Sequence, residues 1–176
     1  MSKIIYINKK IKNFKKNIFI SGDKSLSIRF ALMASQAVGE SKIYNLLNSE
    51  DVLSTLNCLK KLGIKIKLKK NYCKIVGKGL NGFNYKKPIS LNAGNSGTLG
   101  RLMLGLLVHS KNKITIKGDK SLSKRDFLRV TKPLEKFGAK FITNRGKLPI
   151  KISGTANPDT LGARSGRAQY GHHLCQ

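Results

Sequence analysis

Apolar residues recur along the chain with strand-like and helix-like spacing, in an order that is used twice. Residues 18–77 are predicted to form strand, helix, strand, helix, strand and strand, with the strands at 18–20, 42–46, 64–68 and 72–76. The apolar residues of the first helix are Leu26, Phe30, Ala31, Met33, Ala34 and Ala37, and the apolar face of the second carries Val52, Leu53, Leu56, Leu59 and Leu62. Gly63 is placed to end the second helix as its C′ residue.

Residues 89–154 repeat this order. Strands are predicted at 89–91, 114–117, 140–143 and 149–152, and helices at 98–108 and up to Phe137-Gly138. Gly63 and Gly138 are 75 residues apart, and Gly77 and Gly154 are 77 residues apart. An internal repeat of that period predicts an α/β fold of tandem βαβαββ units.

The composition changes after Lys151. The last 25 residues contain no lysine, and residues 157–176 show no helix or strand period. We interpret this atypical tail as frameshifted, chimeric or truncated sequence, with a genuine exposed terminus as the alternative.

The composition excludes several classes of protein. The longest apolar run, residues 102–108, is too short to span a bilayer, and lysines interrupt the N-terminal apolar stretches, so no signal peptide is predicted and a cytoplasmic location is expected. Cys58, Cys73 and Cys175 form no CxxC pair, and the three histidines are poorly placed as ligands. No metal site or disulfide is therefore expected.

The formal net charge is +27 at pH 7, which raises nucleic acid as a partner. The basic residues are mostly lysine, they are scattered, and no RNA-binding signature with interleaved aromatic residues is present. No specific nucleic acid is expected, although a basic nucleic-acid-binding module stays open as an alternative. An anionic small-molecule substrate fits the charge at least as well.

A glycine-containing turn precedes the first helix of each unit, and such a turn presents free backbone N–H groups to anions. The first turn carries Lys24 and Ser25, with Arg29 one helical turn further on. The second carries the candidate residues Asn95 and Gly97, followed by Thr98 and Arg101. Because the units repeat, both turns are expected at the same end of the domain. Neither turn matches the P-loop pattern, which disfavours a nucleoside triphosphatase.

A third cluster, residues 118–125, copies the hexapeptide at residues 22–27 and ends in Arg125. The two copies are 96 residues apart, so the internal repeat does not account for them. Lys120 and Lys124 in this cluster could equally be solvated surface charges.

These three motifs, in this order, resemble the 5-enolpyruvylshikimate-3-phosphate synthase family. The similarity runs from residue 3 to about residue 158, and the run Asn92-Ala93-Gly94-Asn95-Ser96-Gly97-Thr98 is its most specific part. It implies the inside-out α/β barrel fold of enolpyruvyl transferases, with residues 1–156 as part of an N-terminal domain that comprises units 18–77 and 89–154.

The resemblance also implies transfer of the enolpyruvyl group of phosphoenolpyruvate to the 5-hydroxyl of shikimate 3-phosphate, with loss of phosphate and no cofactor. Lys24 would then contact both substrates, and Ser25 and Arg29 would hold shikimate 3-phosphate. Asn95, Gly97 and Arg125 would line the phosphoenolpyruvate site. The full-length enzyme is expected to be a monomer.

Two departures from the family pattern affect these expectations. Asp126 stands where a proline is usual, which puts an acid beside Arg125. We expect the family's second domain, with its acid/base groups, to be missing, so the chain alone is expected to be inactive. A missing third unit is expected to leave apolar surface exposed. The rival within the same fold is the enolpyruvyl transferase that acts on UDP-N-acetylglucosamine.

Overall fold

The computed structural model describes residues 4–6, 8, 15, 17–70, 72–85, 88–110 and 112–155. They contain four α-helices, one short 3-10 helix (Leu122–Lys124) and seven strands. The helices are α1 (Lys24–Gln36), α2 (Glu50–Lys61), α3 (Gly97–Leu106) and α4 (Leu128–Glu135). The strands are β1 (Val38–Tyr44), β2 (Lys65–Leu68), β3 (Tyr72–Lys78), β4 (Ile89–Asn92), β5 (Ile114–Lys117), β6 (Lys140–Asn144) and β7 (Lys147–Ser153). Among these residues, no helix combines the length and apolarity needed to cross a membrane.

The strands form two sheets, and the three strands of the first correspond to three of the four strands of the second. The second sheet has the order β4-β5-β7-β6, with β4 parallel to β5 and the other pairs antiparallel. The first sheet has the order β1-β3-β2, all antiparallel, which corresponds to the last three positions of the second. The second unit therefore has the predicted βαβαββ order, whereas the first begins at its first helix.

The strand predicted at residues 18–20 is wrong. The three side chains of this segment are exposed, Phe19 to 99%, and residues 17–23 form no strand. An extended segment becomes a strand only when a neighbour takes up its backbone hydrogen bonds. Among the described residues, the backbone of this segment accepts one side-chain hydrogen bond, from Nδ2 of Asn45 to the carbonyl of Ile20 at 3.1 Å.

Only some of the apolar residues of α1 are buried. Ala31 and Ala34 are buried, but Leu26 and Met33 are exposed, and the remaining buried apolar positions are Ile28 and Leu32. The buried stripe has the spacing of one helix face and packs on α2 and β3. In α2, Leu53 is likewise at the surface, whereas the other four predicted positions are buried.

A second apolar surface accounts for the outward position of Met33, though not for that of Leu26. An open groove of about 530 Å³ lies between α1 and α3. It is lined by Met33 of α1, by Ala37 directly after that helix, and by Leu102 and Leu106 of α3. Exposed apolar surface was expected from the sequence, and it lies here between the units' first helices.

Gly63 ends α2 as predicted, with φ +84°. Its N–H bonds to the carbonyl of Lys60 at 2.9 Å, and the N–H of Ile64 bonds to the carbonyl of Leu59 at 3.1 Å. This is a Schellman motif, and the buried side chains of Leu59 and Ile64 supply its hydrophobic contact. The last turn also carries Lys60, which complements the helix dipole.

Candidate anion-binding site

The first glycine turn is held by a helix cap and by close backbone packing. The carboxylate of Asp23 accepts from the N–H of Leu26 at 2.7 Å and so caps α1. Ser27 Oγ donates to the carbonyl of Asp23 at 2.6 Å and accepts from the N–H of Leu47 at 3.1 Å. A Cβ on Gly22 would collide with the carbonyl of Asn45, so this position requires glycine. The turn is thereby fixed against the loop after β1.

The three candidate residues of this turn lie at the start of α1. Lys24 is exposed, and its Nζ lies 3.3 Å from Oδ2 of Asp51, at the N-terminus of α2. Ser25 is half-buried in the first helical turn. Arg29 is exposed and borders the apolar groove beside Leu32. Asp51 could not be identified as a partner of Lys24 from the sequence, because the two residues are 27 positions apart.

The second glycine turn has the same construction with different residues. Asn92 Oδ1 accepts from the N–H of Gly94 at 2.9 Å, and Ser96 Oγ caps α3 by accepting from the N–H of Leu99 at 3.3 Å. Gly94 has φ +57°, and its ideal Cβ would lie 3.1 Å from Oγ of Ser54. The N-terminus of α3 therefore begins at a tightly folded turn.

Two guanidinium groups converge on this helix start. Arg125 Nη2 donates to Oδ1 of Asn95 at 2.9 Å. A Cβ on Gly97 would lie 2.9 Å from Nη1 of Arg101 and 3.0 Å from Nη1 of Arg125. The absence of a side chain at Gly97 thus leaves room for two cations beside the first N–H groups of α3. Arg101 was noted from its position one helical turn after Gly97, but its part in the cluster could not be inferred from the sequence.

The surroundings of Arg101 make it an incompletely satisfied cation. Its guanidinium carbon lies 5.4 Å from the centroid of the Phe127 ring. Its Nε is buried and has no hydrogen-bond partner among the described residues. Burial lowers the pKa of Arg101, and the nearby charges of Arg129 and Arg125 lower it further, while Asp126 acts in the opposite direction. An anion at this place would offset the repulsion among the guanidinium groups.

Helix α2 brings the two turns to the same side of the molecule. Asp51 contacts Lys24 of the first turn, and Ser54 lies against Gly94 of the second. Asp51 and Ser54 are three residues apart and therefore share one face of the helix. Both turns consequently lie along the first two turns of α2.

The third cluster positions Arg125. Asp119 Oδ1 accepts from the N–H of Leu122 at 2.6 Å, as Asp23 does from Leu26. The N–H of Asp119 bonds to the carbonyl of Gly94 at 2.9 Å, which joins this cluster to the second turn. Lys120 and Lys124 are exposed.

The carboxylate of Asp126 accepts a hydrogen bond at the start of α4 and is not paired with the neighbouring Arg125. Its Oδ1 accepts from the N–H of Leu128, the first residue of α4, at 2.8 Å. An acid at a helix start is favourable for the helix dipole.

Among the described residues, no three side chains of the His, Cys, Asp or Glu type are grouped so as to hold a metal ion. Cys58 and Cys73 are buried free thiols. Cys175, His172 and His173, as well as the tail assigned to residues 157–176, lie outside the described residues.

Comparison with known proteins identifies the family. A family model described as EPSP synthase (3-phosphoshikimate 1-carboxyvinyltransferase) matches residues 8–169. The 3-phosphoshikimate 1-carboxyvinyltransferase of Ruthia magnifica subsp. Calyptogena magnifica is 46% identical over 136 residues, which are 77% of this chain and 31% of that protein. The corresponding protein of Oenococcus oeni is 43% identical over 148 residues, or 83% of this chain and 33% of that one.

Solved structures agree. An EPSP synthase from Acinetobacter baumannii superposes with a TM-score of 0.72 at 35% identity, covering 78% of this chain and 31% of that chain. This confirms the predicted fold class, a truncated enolpyruvyl transferase fold. The chain spans about one third of the length of the curated relatives that it matches. It belongs to the EPSP synthase family.

Proposed function

We propose that the chain forms the part of a 3-phosphoshikimate 1-carboxyvinyltransferase that receives the anionic groups of both substrates. The reaction moves the enolpyruvyl group of phosphoenolpyruvate to the 5-hydroxyl of shikimate 3-phosphate and releases phosphate. Two observations support this proposal, namely the family membership and the convergence of Arg101 and Arg125 on Gly97. Both substrates are small molecules, and we infer a cytoplasmic, monomeric full-length enzyme.

We infer that residues 1–156 make up part of an N-terminal domain with two units, 18–77 and 89–154. The apolar groove between α1 and α3 supports this organisation, because a surface with Met33 and Leu102 exposed is suited to a further packed element.

In this proposal Asn95, Gly97 and Arg125 receive phosphoenolpyruvate. The N–H groups at the start of α3 and the positive end of its dipole favour an anion there. Arg125 is held by Asn95 at 2.9 Å, so its planar fork is oriented before a ligand binds. A guanidinium can bind a phosphate or a carboxylate with two parallel hydrogen bonds, which suits Arg125 to this role.

Lys24, Ser25 and Arg29 are proposed to hold shikimate 3-phosphate, with Lys24 placed to contact both substrates. Lys24 is the best placed of the three for two ligands, since α2 joins its turn to the second turn through Asp51 and Ser54. The pair with Asp51 is exposed on the lysine side, so exchanging the carboxylate for a substrate anion costs little.

The reaction requires stabilisation of negative charge, and the cations and backbone N–H groups of the two glycine turns can supply it. Charge develops on the phosphate that leaves, and fixed cations and backbone donors stabilise such charge. The opposite wall of a closing cleft must still supply the acid and base groups and hold the two reactants together. The chain alone is therefore expected to bind substrate without turning it over.

A calorimetric titration of the full 176-residue chain with shikimate 3-phosphate tests the proposal. We expect saturable binding that Arg29→Ala weakens by at least tenfold. Lys60→Ala removes one exposed charge at the far end of α2 and is the matched control, for which we expect less than a twofold change.

Three outcomes contradict the proposal. Equal losses in both variants would mean that only overall charge attracts the ligand. Binding of UDP-N-acetylglucosamine in preference to shikimate 3-phosphate would favour the other enolpyruvyl transferase. Measurable carboxyvinyl transfer by the chain alone would show that the second wall is not needed.

A further inference from the structure

The outer face of the first sheet carries a row of cations that the function proposed above does not use. Lys42 of β1 is paired with Lys74 of β3, and Lys74 is paired with Lys67 of β2. Residues opposite one another on antiparallel strands share a face of the sheet, so the three side chains stand side by side within about 10 Å. Like charges placed directly opposite are unfavourable for the sheet itself.

The next row of the same face is aromatic. Tyr44 and Tyr72 are opposite one another, with ring centroids 6.4 Å apart, and Tyr44 is 63% exposed. The Nζ of Lys42 lies 4.4 Å from the Tyr72 centroid and 5.0 Å from the Tyr44 centroid. The two rows are two residues apart along each strand, or about 7 Å. Cations and aromatic rings are thus adjacent on one open surface.

A single acid interrupts this face. Glu40 forms an ion pair with Lys74 and is the one Asp or Glu of β1, β2 and β3. Lys65 lies opposite Val76 in the same row as Glu40, and Lys78 lies opposite Val38 one row further from the tyrosines, so both add charge on the same side of the lysine row. The face therefore keeps a strong positive field after its one ion pair is counted.

The equivalent face of the second sheet is also basic, with Lys117, Lys140, Lys147 and Lys151 exposed on it, but these lysines lie in different rows. The row in the corresponding place consists of Ser90, Thr115, Lys151 and Ile142 on β4, β5, β7 and β6. It holds one cation and no aromatic ring. The next row, which corresponds to the tyrosines, contains Asn92 and Lys117. The fold therefore requires neither the row of three lysines nor the tyrosine pair.

We propose that this face, defined by Lys42, Lys67, Lys74, Tyr44 and Tyr72, binds single-stranded nucleic acid without sequence preference. Phosphates would lie along the lysine row and an unpaired base would stack on Tyr44, which is the combination that sequence-independent single-strand binding uses. A duplex offers phosphates but no free base faces, so the tyrosines favour a single strand. The expectation that no specific nucleic acid binds is unaffected, because neither stacking nor phosphate contacts read sequence.

Fluorescence anisotropy of a labelled oligothymidylate of about twelve nucleotides, titrated with the full chain over a range of salt concentrations, tests this proposal. We expect Lys42→Gln with Lys67→Gln and Lys74→Gln to weaken binding at least tenfold and to reduce the salt slope by about 2, which is three single-strand contacts at about 0.7 each. The matched control replaces Lys140, Lys147 and Lys151, exposed lysines of the second sheet, by Gln. It removes the same charge and should weaken binding less than threefold.

Two single substitutions separate stacking from charge. Tyr44→Ser should weaken binding about tenfold with an unchanged salt slope, whereas Tyr44→Phe, which keeps the ring, should bind like the parent chain. Glu40→Gln should strengthen binding about threefold, because it releases Lys74 from its ion pair.

The proposal is overturned if the two lysine triples weaken binding equally, since overall charge would then suffice. Duplex of the same length binding as tightly as the single strand would also overturn it. So would loss of binding to phosphatidylserine vesicles, but not to the oligonucleotide, in the Lys42, Lys67 and Lys74 variant. Binding of shikimate 3-phosphate by this variant should match that of the parent chain, which keeps the test independent of the function proposed above.

Discussion

Two pairs of glycines stand at equivalent points of the first and second units. Gly77 and Gly154 both lie against backbone just past the first helix of their unit, at Ala37 and Val108 respectively. Gly63 and Gly138 both have positive φ, +84° and +90°, but only Gly63 is pressed against backbone. The repeat therefore preserves the contact of a strand with a helix end, whereas the turn after the second helix is adapted to its neighbours.

The largest effect on the free energy of unfolding is expected for substitutions at Gly77 and Gly154, the two glycines whose backbone contacts are the same in both units. Gly77→Ala and Gly154→Ala each place a methyl group into backbone atoms that cannot move independently, so we expect each to lower the free energy of unfolding by about 3 kcal/mol. Urea denaturation measures this. Gly105, an exposed glycine of α3, has open space around its Cβ position and is the control. Gly105→Ala should stabilise by about 0.5–1 kcal/mol. If only one of the two substitutions lowered the free energy of unfolding strongly, Gly77 and Gly154 would not be in equivalent positions.

The duplicated hexapeptide provides a second comparison. Leu26 and Leu122 follow the same residues and the same Asp cap, yet Leu26 is 67% exposed and Leu122 is fully buried. We expect Leu122→Ala to cost about 3 kcal/mol and Leu26→Ala less than about 0.5 kcal/mol. Denaturation of the two variants side by side measures the difference, and similar costs would show that Leu26 is covered in solution.

The glycines that follow the second helices are expected to differ in a smaller way. A positive φ is unfavourable for alanine, so each alanine variant should lose about 1–2 kcal/mol of unfolding free energy. At Gly63 the added Cβ would also lie 2.5 Å from the carbonyl of Asn84, whereas at Gly138 the nearest atom is 3.4 Å away, on Thr155. We expect Gly63→Ala to be destabilised by about 1 kcal/mol more than Gly138→Ala. Equal midpoints of thermal unfolding would contradict this.

Local patterns predicted most of the elements, because their causes are local. The helix stop at Gly63, the turn before α3 and the alternation in β3 each depend on residues that are close in sequence. The strand expected at 18–20 failed for the opposite reason. Apolar residues alone do not make a strand, because its hydrogen-bond partner comes from elsewhere in the chain.

The same distinction applies to the candidate site. Lys24 and Arg125 could be singled out from motifs, whereas the partners that orient them, Asp51 and Asn95, are 27 and 30 residues away in sequence. The pairing of Lys42 with Lys74 and Lys67 is likewise invisible without the strand register. The sequence thus identified candidate binding residues. It could not identify the residues that pair with them, and these pairs determine how the side chains are oriented and where positive charge accumulates.

The last comparison concerns the contact between the units. Cys58 of α2 is buried and donates from Sγ to the carbonyl of Asn92 at 3.3 Å, whereas the position 75 residues later is the exposed Pro133 of α4. We expect Cys58→Ala to cost about 1 kcal/mol at pH 7, through the lost hydrogen bond and packing.

The stability difference between Cys58→Ala and the parent chain should reverse its sign at alkaline pH. Burial raises the pKa of Cys58 from 9.0 to about 11. Above pH 9.0 the unfolded thiol loses its proton while the folded thiol keeps it, so the parent chain loses up to about 1.4 kcal/mol of stability per pH unit until the folded thiol ionises as well. Cys58→Ala carries no such penalty and should equal the parent near pH 10. Urea denaturation of both chains from pH 7 to pH 10.5 measures the crossing, since Cys73 and every other titrating group are common to both. A constant difference across this range would mean that Cys58 is open to solvent, and that the two units are not closed against each other at Asn92.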